Sequence, residues 1–200
     1  APLGELLQPL GAEVSAGVTD ALREGIGVGR SPRVIASKVR DRAGMGLTRA
    51  LRISRTEMLR AFREGTRATY QQNPVTVRGY RRVAAKDADT CMACIALDGK
   101  RYAVGQPLNE HVSGRCALVP ITPTYRELGL NVDEPTAPVQ TGQDWFMGQP
   151  AATQRGMMGR GKYDAWKSGA FSLDDMATTH RNRQWGDQAV ETPLKDLLAA

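Results

Sequence analysis

The chain has 200 residues, of which 41% are hydrophobic and 24% charged, and its 27 basic and 21 acidic side chains give a net charge of +6. With 21 glycines and 11 prolines, the composition excludes a collagen-like protein and a plainly disordered one. No apolar run approaches the ~20 residues of a membrane-spanning helix, so we expect no membrane span. Three phenylalanines, three tryptophans and five tyrosines make a small core, so part of the fold should gain order from a metal or from partner subunits.

The cysteine count indicates the environment of the protein. Three cysteines cannot all pair within one molecule, and in a reducing compartment clustered thiols more often hold a metal than a disulfide. The chain begins with Ala1, and its first residues lack the basic start and apolar stretch of a targeting peptide. We therefore expect a processed or partial copy of a longer protein, one that lives in a reducing compartment.

Residues 1–73 are predicted to be helical, with breaks at the glycine-rich stretches 25–29 and 44–46. Ser31-Pro32 is typical of a helix start, because serine caps the free N–H groups and proline lacks the N–H that would stay unpaired there. The longest predicted helix runs from about Leu47 to Gln72.

The long helix combines an apolar arc with a basic stripe when its residues are placed at ~100° intervals. The predicted apolar arc contains Leu47, Leu51, Met58, Leu59 and Phe62. The adjoining basic stripe contains Arg49, Arg52, Arg60, Arg63 and Arg67. Residues 23–82 hold 15 basic and 4 acidic side chains, enough to attract a polyanion. The stripe is either a contact for nucleic acid or an acidic partner, or an ordinary solvated helix face.

Arg55 departs from this pattern because it falls in the middle of the predicted apolar arc. An unpaired guanidinium there would be unfavourable, so we expect Arg55 to find a carboxylate or carbonyl partner inside the fold or at an interface.

Residues 74–130 are predicted to form a small antiparallel β subdomain with long loops. Alternation favours a strand from Val75 to Ala84, and further short strands are expected at Arg101–Val104 and Cys116–Ile121. Residues 87–94 are predicted to be a turn-rich loop, and residues 97–100 a hairpin-type turn that leads into the second strand. Such a unit is weakly stabilised by its own core.

Four potential metal ligands occur in this subdomain. Cys91, Cys94, His111 and Cys116 form a C-x2-C-x16-H-x4-C pattern, and such donors suit tetrahedral Zn²⁺. The two-residue spacer lets both thiolates of a tight loop face one ion. The alternative is a redox pair, or loop cysteines with a surface histidine.

A bound zinc ion is predicted to be structural, because four protein ligands leave no open position for a catalytic water. The sequence also lacks a nucleophile elbow, a paired His-Glu zinc motif and a carboxylate cluster at useful spacing. We therefore expect the protein not to be an enzyme.

The last third of the chain is predicted to be a linker followed by a helical arm. Residues 131–142 contain Pro135 and Pro138 among small and acidic residues, and residues 143–200 suggest short helices. Five aromatic anchors are available, namely Trp145, Phe146, Trp166, Phe171 and Trp185. They either dock the arm onto the metal subdomain or wrap it around a neighbouring subunit. The predicted fold class is thus α+β, with N-terminal helices, a zinc-stapled antiparallel subdomain and a helical C-terminal arm.

Several short motifs follow one another in a fixed order along the chain. They are Ser54–Glu57, Tyr70, Tyr80–Ala84, Asp89–Cys94, Leu97–Gly99, His111, Gly114–Cys116, Asp144–Phe146, Gln154 and Tyr163–Gly169. This ordered set resembles the phage Mu F-like head morphogenesis proteins, which are minor head proteins of tailed bacteriophages. The resemblance covers roughly residues 30–175.

One difference from the resembled family concerns the predicted metal site. Members commonly end the motif as His-Pro-x-Cys-Arg-Cys, whereas this chain has Val112 in the place of proline and Gly114 in the place of the first cysteine. If position 114 supplies a ligand in relatives, the site is incomplete here. We expect Cys116 to be the fourth ligand.

The resemblance implies a minor capsid protein that takes part in head assembly and in DNA packaging. Its implied partners are the portal protein, capsid components and packaged DNA contacted without sequence specificity, and no small-molecule substrate is expected. Its implied location is the capsid interior near the portal, with the host cytoplasm during assembly. Two alternatives remain, a zinc-stapled nucleic-acid-binding protein and the carrier domain of a phage-delivered effector.

Overall fold

The computed structural model describes residues 2–134 and 139–199, and the fold is α+β. The α helices are Pro2–Leu7 (α1), Ala12–Gly27 (α2), Pro32–Ala43 (α3), Leu47–Gln71 (α4), Met92–Leu97 (α5), Gly142–Met147 (α6), Ala151–Met158 (α7), Arg160–Lys167 (α8) and Leu194–Leu197 (α9). The strands are Gly79–Val83 (β1), Arg101–Ala103 (β2), Ala117–Ile121 (β3), Ala177–Asn182 (β4) and Gly186–Glu191 (β5). Short 3-10 helices cover Gln8–Leu10 and Leu173–Met176. Within the described residues, no helix combines the length and the apolar character needed to cross a bilayer.

The chain divides into two compact units. The first unit contains Ala1–Gly65, Asn109–Gly114 and Arg181–Gln188, and the second contains Thr66–Leu108, Arg115–His180 and Ala189–Ala200. The four-part division at residues 1–73, 74–130, 131–142 and 143–200 stays a prediction. Of its linker, residues 135–138 lie outside the described part of the chain, including both prolines.

The first unit is built from helices whose ends follow the predicted signals. The Ser31 hydroxyl accepts a hydrogen bond from the Val34 N–H at 3.5 Å, and Pro32 is the first residue of α3. Gly44 ends α3 with a φ of +59°, a conformation that favours glycine. The aliphatic core consists of Leu6, Leu7, Val18, Ala21, Leu22, Ile35, Ala36, Val39, Ala50 and Ile53.

Helix α4 extends as predicted but buries the predicted apolar arc only in part. Its buried residues are Ala50, Ile53, Ser54, Thr56, Glu57 and Arg63. Leu47 and Phe62 of the predicted arc are 41% and 68% exposed, whereas Leu51 and Met58 are half-buried and pack against the aliphatic core. The buried face is instead chosen by close packing of small side chains and by polar partners. The Thr56 hydroxyl, for example, accepts from the Ser113 N–H at 3.0 Å.

The second unit contains a three-stranded antiparallel sheet with the order β2-β1-β3. Tyr80 on β1 lies opposite Tyr102 on one side and Pro120 on the other. Strand β1 is shorter than predicted and begins at Gly79, where a Cβ atom would lie 2.7 Å from the Tyr102 carbonyl oxygen. Glycine therefore allows the closest approach of β1 to β2.

Two predictions for this sheet are corrected. The turn-rich loop predicted for residues 87–94 ends early, because helix α5 begins at Met92. Consequently the turn at Asp98-Gly99 joins α5 to β2 and does not connect two strands as a hairpin. Short helices of this kind escape sequence patterns because six residues contain fewer than two helical turns.

The C-terminal segment is not helical throughout. Strands β4 and β5 pair in a two-stranded sheet, which the prediction of a helical arm missed. Most side chains of β4 are exposed, so no alternation of apolar and polar residues marks it. Trp145, Phe146, Trp166 and Phe171 pack in a core with α5, which confirms the predicted docking for those four anchors. Trp185 packs instead against the aliphatic core of the first unit.

Candidate metal centre

The three cysteines lie at the ends of two elements of the second unit. Cys91 is the residue before α5, Cys94 lies in its first turn, and Cys116 directly precedes β3. Residues three apart at a helix start lie on one side of the helix, so Cys91 and Cys94 present their thiols together. Cys94 and Cys116 are buried and Cys91 is half-buried.

The remaining potential ligands come from the loop 109–114, which carries Glu110 and His111. The Ser113 N–H and the Gly114 carbonyl hold this loop, the first by donating to Thr56 and the second by accepting from the Arg63 Nη1 at 3.1 Å. Ser113 has a φ of +60°, which marks a tight turn after the histidine. The loop is counted with the first unit, although its chain neighbours Leu108 and Arg115 belong to the second.

The potential ligand atoms form two groups. One atom each from Cys91, Cys94 and His111 lies within 4.8 Å of the others, and the same holds for Cys94, Glu110 and Cys116. Cys94 belongs to both groups. Each group could hold a metal ion, and the two groups contain the four predicted ligands and Glu110. Three thiols, one imidazole and one carboxylate are donors that suit a metal of the zinc type.

The hydrogen bonding of His111 fixes which ring nitrogen can bind a metal. Nδ1 lies 2.9 Å from the Val112 carbonyl oxygen. A carbonyl only accepts hydrogen bonds, so this contact requires the proton on Nδ1, and in the neutral ring Nε2 then carries the lone pair. A second-sphere carbonyl of this kind orients a ligating histidine.

A buried arginine accompanies the cysteines. Arg82 is 1% exposed, and its Nη2 donates to the Cys94 Sγ at 3.2 Å. A guanidinium next to sulfur favours the thiolate, which is the form that binds metals. In the sequence Arg82 lies in a predicted strand and in the motif Tyr80–Ala84, and neither predicts a contact with a cysteine. Its signal was the alternation that places Arg82 on the same buried face of β1 as Tyr80.

Glu110 is the potential ligand that sequence reasoning missed. The zinc patterns used for the prediction contain only cysteine and histidine, and carboxylates are common on surfaces. The available signal was its position next to a predicted ligand, His111.

An ion pair connects the loops that precede Cys91 and Cys116. The Arg115 Nη1 and Nη2 donate to the Asp87 Oδ2 and Oδ1 at 2.7 and 2.6 Å. The Arg115 guanidinium is the main reason that the pKa of Asp87 falls to about 2, and the Thr90 hydroxyl adds to the shift. The pair is bidentate, a geometry that fixes both loops more firmly than a single contact.

The predicted basic stripe does not form one exposed surface. Arg49 and Arg52 are exposed, whereas Arg63 is buried and hydrogen-bonded. Arg60 lies 2.7 Å from Glu57 and also donates to the Trp185 carbonyl. Arg67 is half-buried. Burial raises the pKa of Glu57, against the opposing effect of Arg60.

Arg55 is also placed differently from the expectation. It is exposed and not inside the fold, because the buried face of α4 is not the predicted apolar arc. Arg55 therefore extends the exposed basic patch of Arg49 and Arg52 along the first part of α4. Whether this patch binds DNA or an acidic protein stays a prediction.

The comparisons with known proteins bear on the cluster as a whole. Neither the curated proteins nor the solved structures gave a match to this chain. The comparison with protein families matches residues 16–119 to the family described as "Phage Mu protein F like protein". The matched stretch is more than half of the chain and contains all five residues of the cluster. The chain therefore belongs to the phage Mu protein F-like family.

Proposed function

We propose that the chain is a non-enzymatic minor head protein that acts with the portal and the inner capsid of a tailed phage. Membership of the family suggests a phage head morphogenesis protein, a location in the virion and capsid-related partners. The match over residues 16–119 is the observation that supports this function.

We further propose that Cys91, Cys94, His111 and Cys116 hold a structural Zn²⁺ ion. The ion would supply cross-linking between α5, the start of β3 and the loop that carries His111. Thiolates and imidazole are the preferred ligands of structural zinc, and Arg82 supports the charged form of Cys94. Four protein ligands would leave no position for an activated water, which is the reason for proposing a staple and no catalysis.

The third element of the proposal is non-specific contact with packaged DNA. Arg49 and Arg52 are the members of the predicted stripe that are exposed. Exposed arginines bind phosphates without base readout. Binding of this type weakens as the salt concentration rises, because the release of counterions from the DNA then becomes less favourable. We assign the contact to these two arginines and give Arg60 and Arg63 roles inside the fold.

Virions of the phage that encodes this chain provide the test of the head function. Mass spectrometry of purified particles should detect the chain at low copy number beside the portal protein. A stop codon in its gene should leave heads that are defective or empty by electron microscopy. Infectious, DNA-filled heads made without the chain would contradict the proposal.

The DNA contact has its own test. In salt titrations of duplex DNA binding, Arg49→Gln with Arg52→Gln should reduce the slope of log K against log salt by about two, because each lost phosphate contact contributes about 0.9. The matched control is Arg155→Gln with Arg160→Gln, two exposed arginines of α7 and α8. An equal reduction of the slope in the control would show that the basic patch has no special role in DNA binding.

A further inference from the structure

We infer that a cavity beside the exposed arginines of α4 binds a nucleotide of single-stranded DNA, with the base on Trp185 and the phosphate on Arg49 and Arg52. The inference rests on the proposed DNA contact and names the form of DNA that this contact takes. All residues that line the cavity belong to the first unit.

The cavity combines apolar surface with two cations. Its volume is about 340 Å³, which is in the range of small-ligand pockets. Leu6 and Ile53 line it and are buried in the aliphatic core, whereas Arg49 and Arg52 line it and are exposed. Trp185 is half-buried, packs against the same core and also lines the cavity. A ligand in this cavity therefore meets an aromatic ring and aliphatic side chains next to two guanidinium groups.

The two arginines of the cavity are available to an anion. They lie three residues apart on α4, so their side chains are neighbours on one face of the helix. Within the described part of the chain, neither guanidinium takes part in an ion pair or a hydrogen bond. Arg60 of the same helix is, by contrast, paired with Glu57. Neighbouring like charges repel each other, and an anion bound between them removes that repulsion.

The turn between β4 and β5 holds Trp185 in place at the cavity. The Asn182 Oδ1 accepts from the N–H groups of Gln184 and Trp185 at 2.9 and 3.0 Å. The Trp185 carbonyl accepts from the Arg60 Nη2 at 3.1 Å, which ties the turn to α4. A side chain that is fixed before binding loses little conformational freedom when a ligand packs on it. The turn therefore prepares the tryptophan as a stacking surface.

A nucleotide matches both parts of the cavity. Its phosphate accepts hydrogen bonds from guanidinium groups, and its base has a flat face that stacks on an aromatic ring. An aspartate or glutamate of a protein partner would pair with the arginines but would bring no ring to Trp185. In a duplex each base is stacked between its neighbours, so a base must leave the stack to reach the cavity. The ligand that fits is therefore a single strand, whose bases are already accessible.

Binding of two DNA probes to the full chain tests the inference. The probes are a fluorescein-labelled oligothymidylate and a hairpin duplex with the same number of phosphates, measured by anisotropy at the same salt concentration. Trp185→Leu keeps an apolar side chain against the core but removes the ring. It should weaken binding of the oligothymidylate by about 5- to 100-fold, the contribution of one stacked base, and leave binding of the duplex within about twofold. Free dTMP should displace the oligothymidylate only at much higher concentration, because it lacks the neighbouring phosphates of a strand.

A conservative variant keeps the test decisive if Trp185→Leu does not fold. Trp185→Phe retains an aromatic ring, so it should bind the oligothymidylate within about threefold of wild type. It should also lose the quenching of tryptophan fluorescence that the bound base causes. The matched control is Trp166→Phe, another half-buried tryptophan, whose ring centroid lies 4.5 Å from the Lys167 Nζ in the second unit. This control should keep the quenching, and the opposite result for the two variants would overturn the assignment of the base to Trp185.

The remaining outcomes separate this inference from the proposed DNA contact. Wild-type affinity of folded Trp185→Leu for the oligothymidylate would overturn the inference and leave the DNA contact in place. Displacement by dTMP at concentrations equal to those of the oligothymidylate would assign the cavity to a free nucleotide and overturn the single-strand assignment. A chain that binds polyglutamate and neither form of DNA would assign Arg49 and Arg52 to an acidic protein partner. That result would overturn the inference together with the DNA contact.

Discussion

The aliphatic core of the first unit and the residues around the cysteines are stabilised by different means. The aliphatic core buries ten aliphatic residues on helices α1 to α4. Around the cysteines, the buried cluster contains Tyr80, Ala84, Cys94, Leu108, Cys116 and Leu118, of which two are themselves potential ligands. Burial of apolar surface can hold the first region, whereas the second places an arginine, a glutamate and thiols where a core would otherwise be.

Stability and specificity therefore have different sources in the two regions. In the helical core many weak contacts add up, so one side chain can change without loss of the fold. Around the cysteines few groups carry the structure and each depends on the others, so one substitution should affect all of them.

The largest effect is expected for Cys94→Ala, because Cys94 belongs to both groups of potential ligands. Apparent binding of a structural zinc contributes about 10–16 kcal/mol in small domains, so its loss should unfold the sheet β2-β1-β3. Zinc content by elemental analysis and hydrogen exchange of the strand amides provide the measurement. Amides of α2 and α3 should keep their protection.

Chelation of the wild-type protein is the control for that variant, because it removes the ion without changing the chain. It should reproduce the loss of protection in the strands. One zinc ion retained per chain in Cys94→Ala, with the strands still protected, would contradict the proposed staple.

The second-largest loss of stability is expected for substitutions in the helical core, and these should not change the amount of bound zinc. Ile35 is fully buried, and a Cβ on Gly25 of α2 would lie 2.4 Å from its Cγ1. Ile35→Ala should lower the free energy of unfolding by about 2–5 kcal/mol and Gly25→Ala by about 1–3 kcal/mol. Denaturant titration measures both, and zinc content should stay constant.

The double variant of these two residues sharpens the test. With Ile35 shortened to alanine, the new methyl group at Gly25 gains room. The double variant should therefore lose less unfolding free energy than the two single variants lose together. Strict additivity would show that other parts of the structure move to relieve the close approach of the two residues. A loss of zinc in any of these variants would show that the helical core and the residues around the cysteines are coupled.

The helical half of the fold could be predicted because its signals are local. The start at Ser31-Pro32 and the end at Gly44 depend on nearest neighbours along the chain. Which face of α4 is buried could not be predicted, since it depends on partners distant in sequence. Thr56 contacts Ser113 and Arg63 contacts Gly114, and both turn polar positions into buried ones. The strand pair β4-β5 was missed because mostly exposed strands carry no apolar alternation.

The candidate site was predictable to the extent that its ligands are rare residue types. Three cysteines and a nearby histidine are visible in any sequence, and they come together as expected. Glu110 and Arg82 are common residue types, and their roles follow only from burial and geometry. Glycine at 114 looked like a lost ligand in the sequence, whereas in the structure it provides the space that Glu110 fills.

A smaller effect separates the arginines of α4. Arg63 is buried, and its removal leaves the Gly114 carbonyl without that donor, so Arg63→Gln should destabilise the chain by about 1–3 kcal/mol. Arg49→Gln on the exposed part of the same helix should change stability by less than about 0.5 kcal/mol. Thermal melts of both variants provide the comparison. Equal melting temperatures would mean that Arg63 has no structural role, as the predicted surface stripe implied.

The smallest effect is expected for the ion pair between Asp87 and Arg115. Its side chains are 43% and 46% exposed, so solvent screening limits its contribution at neutral pH to less than about 1 kcal/mol. The folded-state pKa of Asp87 lies at about 2, below its ordinary value of 3.8. The contribution is therefore complete above about pH 4 and disappears as the pH falls through about 2. Asp87→Asn should be slightly less stable than wild type at pH 7 and equally stable near pH 2.

Acid also releases a metal bound by thiolates. The dependence of the unfolding free energy on pH in one protein alone therefore does not isolate the effect of the Asp87 carboxylate. The difference in unfolding free energy between wild type and Asp87→Asn does, because metal loss is common to both. Arg115→Gln should show the same difference, and the double variant should add nothing to it, since either change removes the whole pair. A difference that persists undiminished well below pH 2 would mean that the substitution acts through something other than the charge of Asp87, because an amide oxygen can still accept the hydrogen bond from the Thr90 hydroxyl.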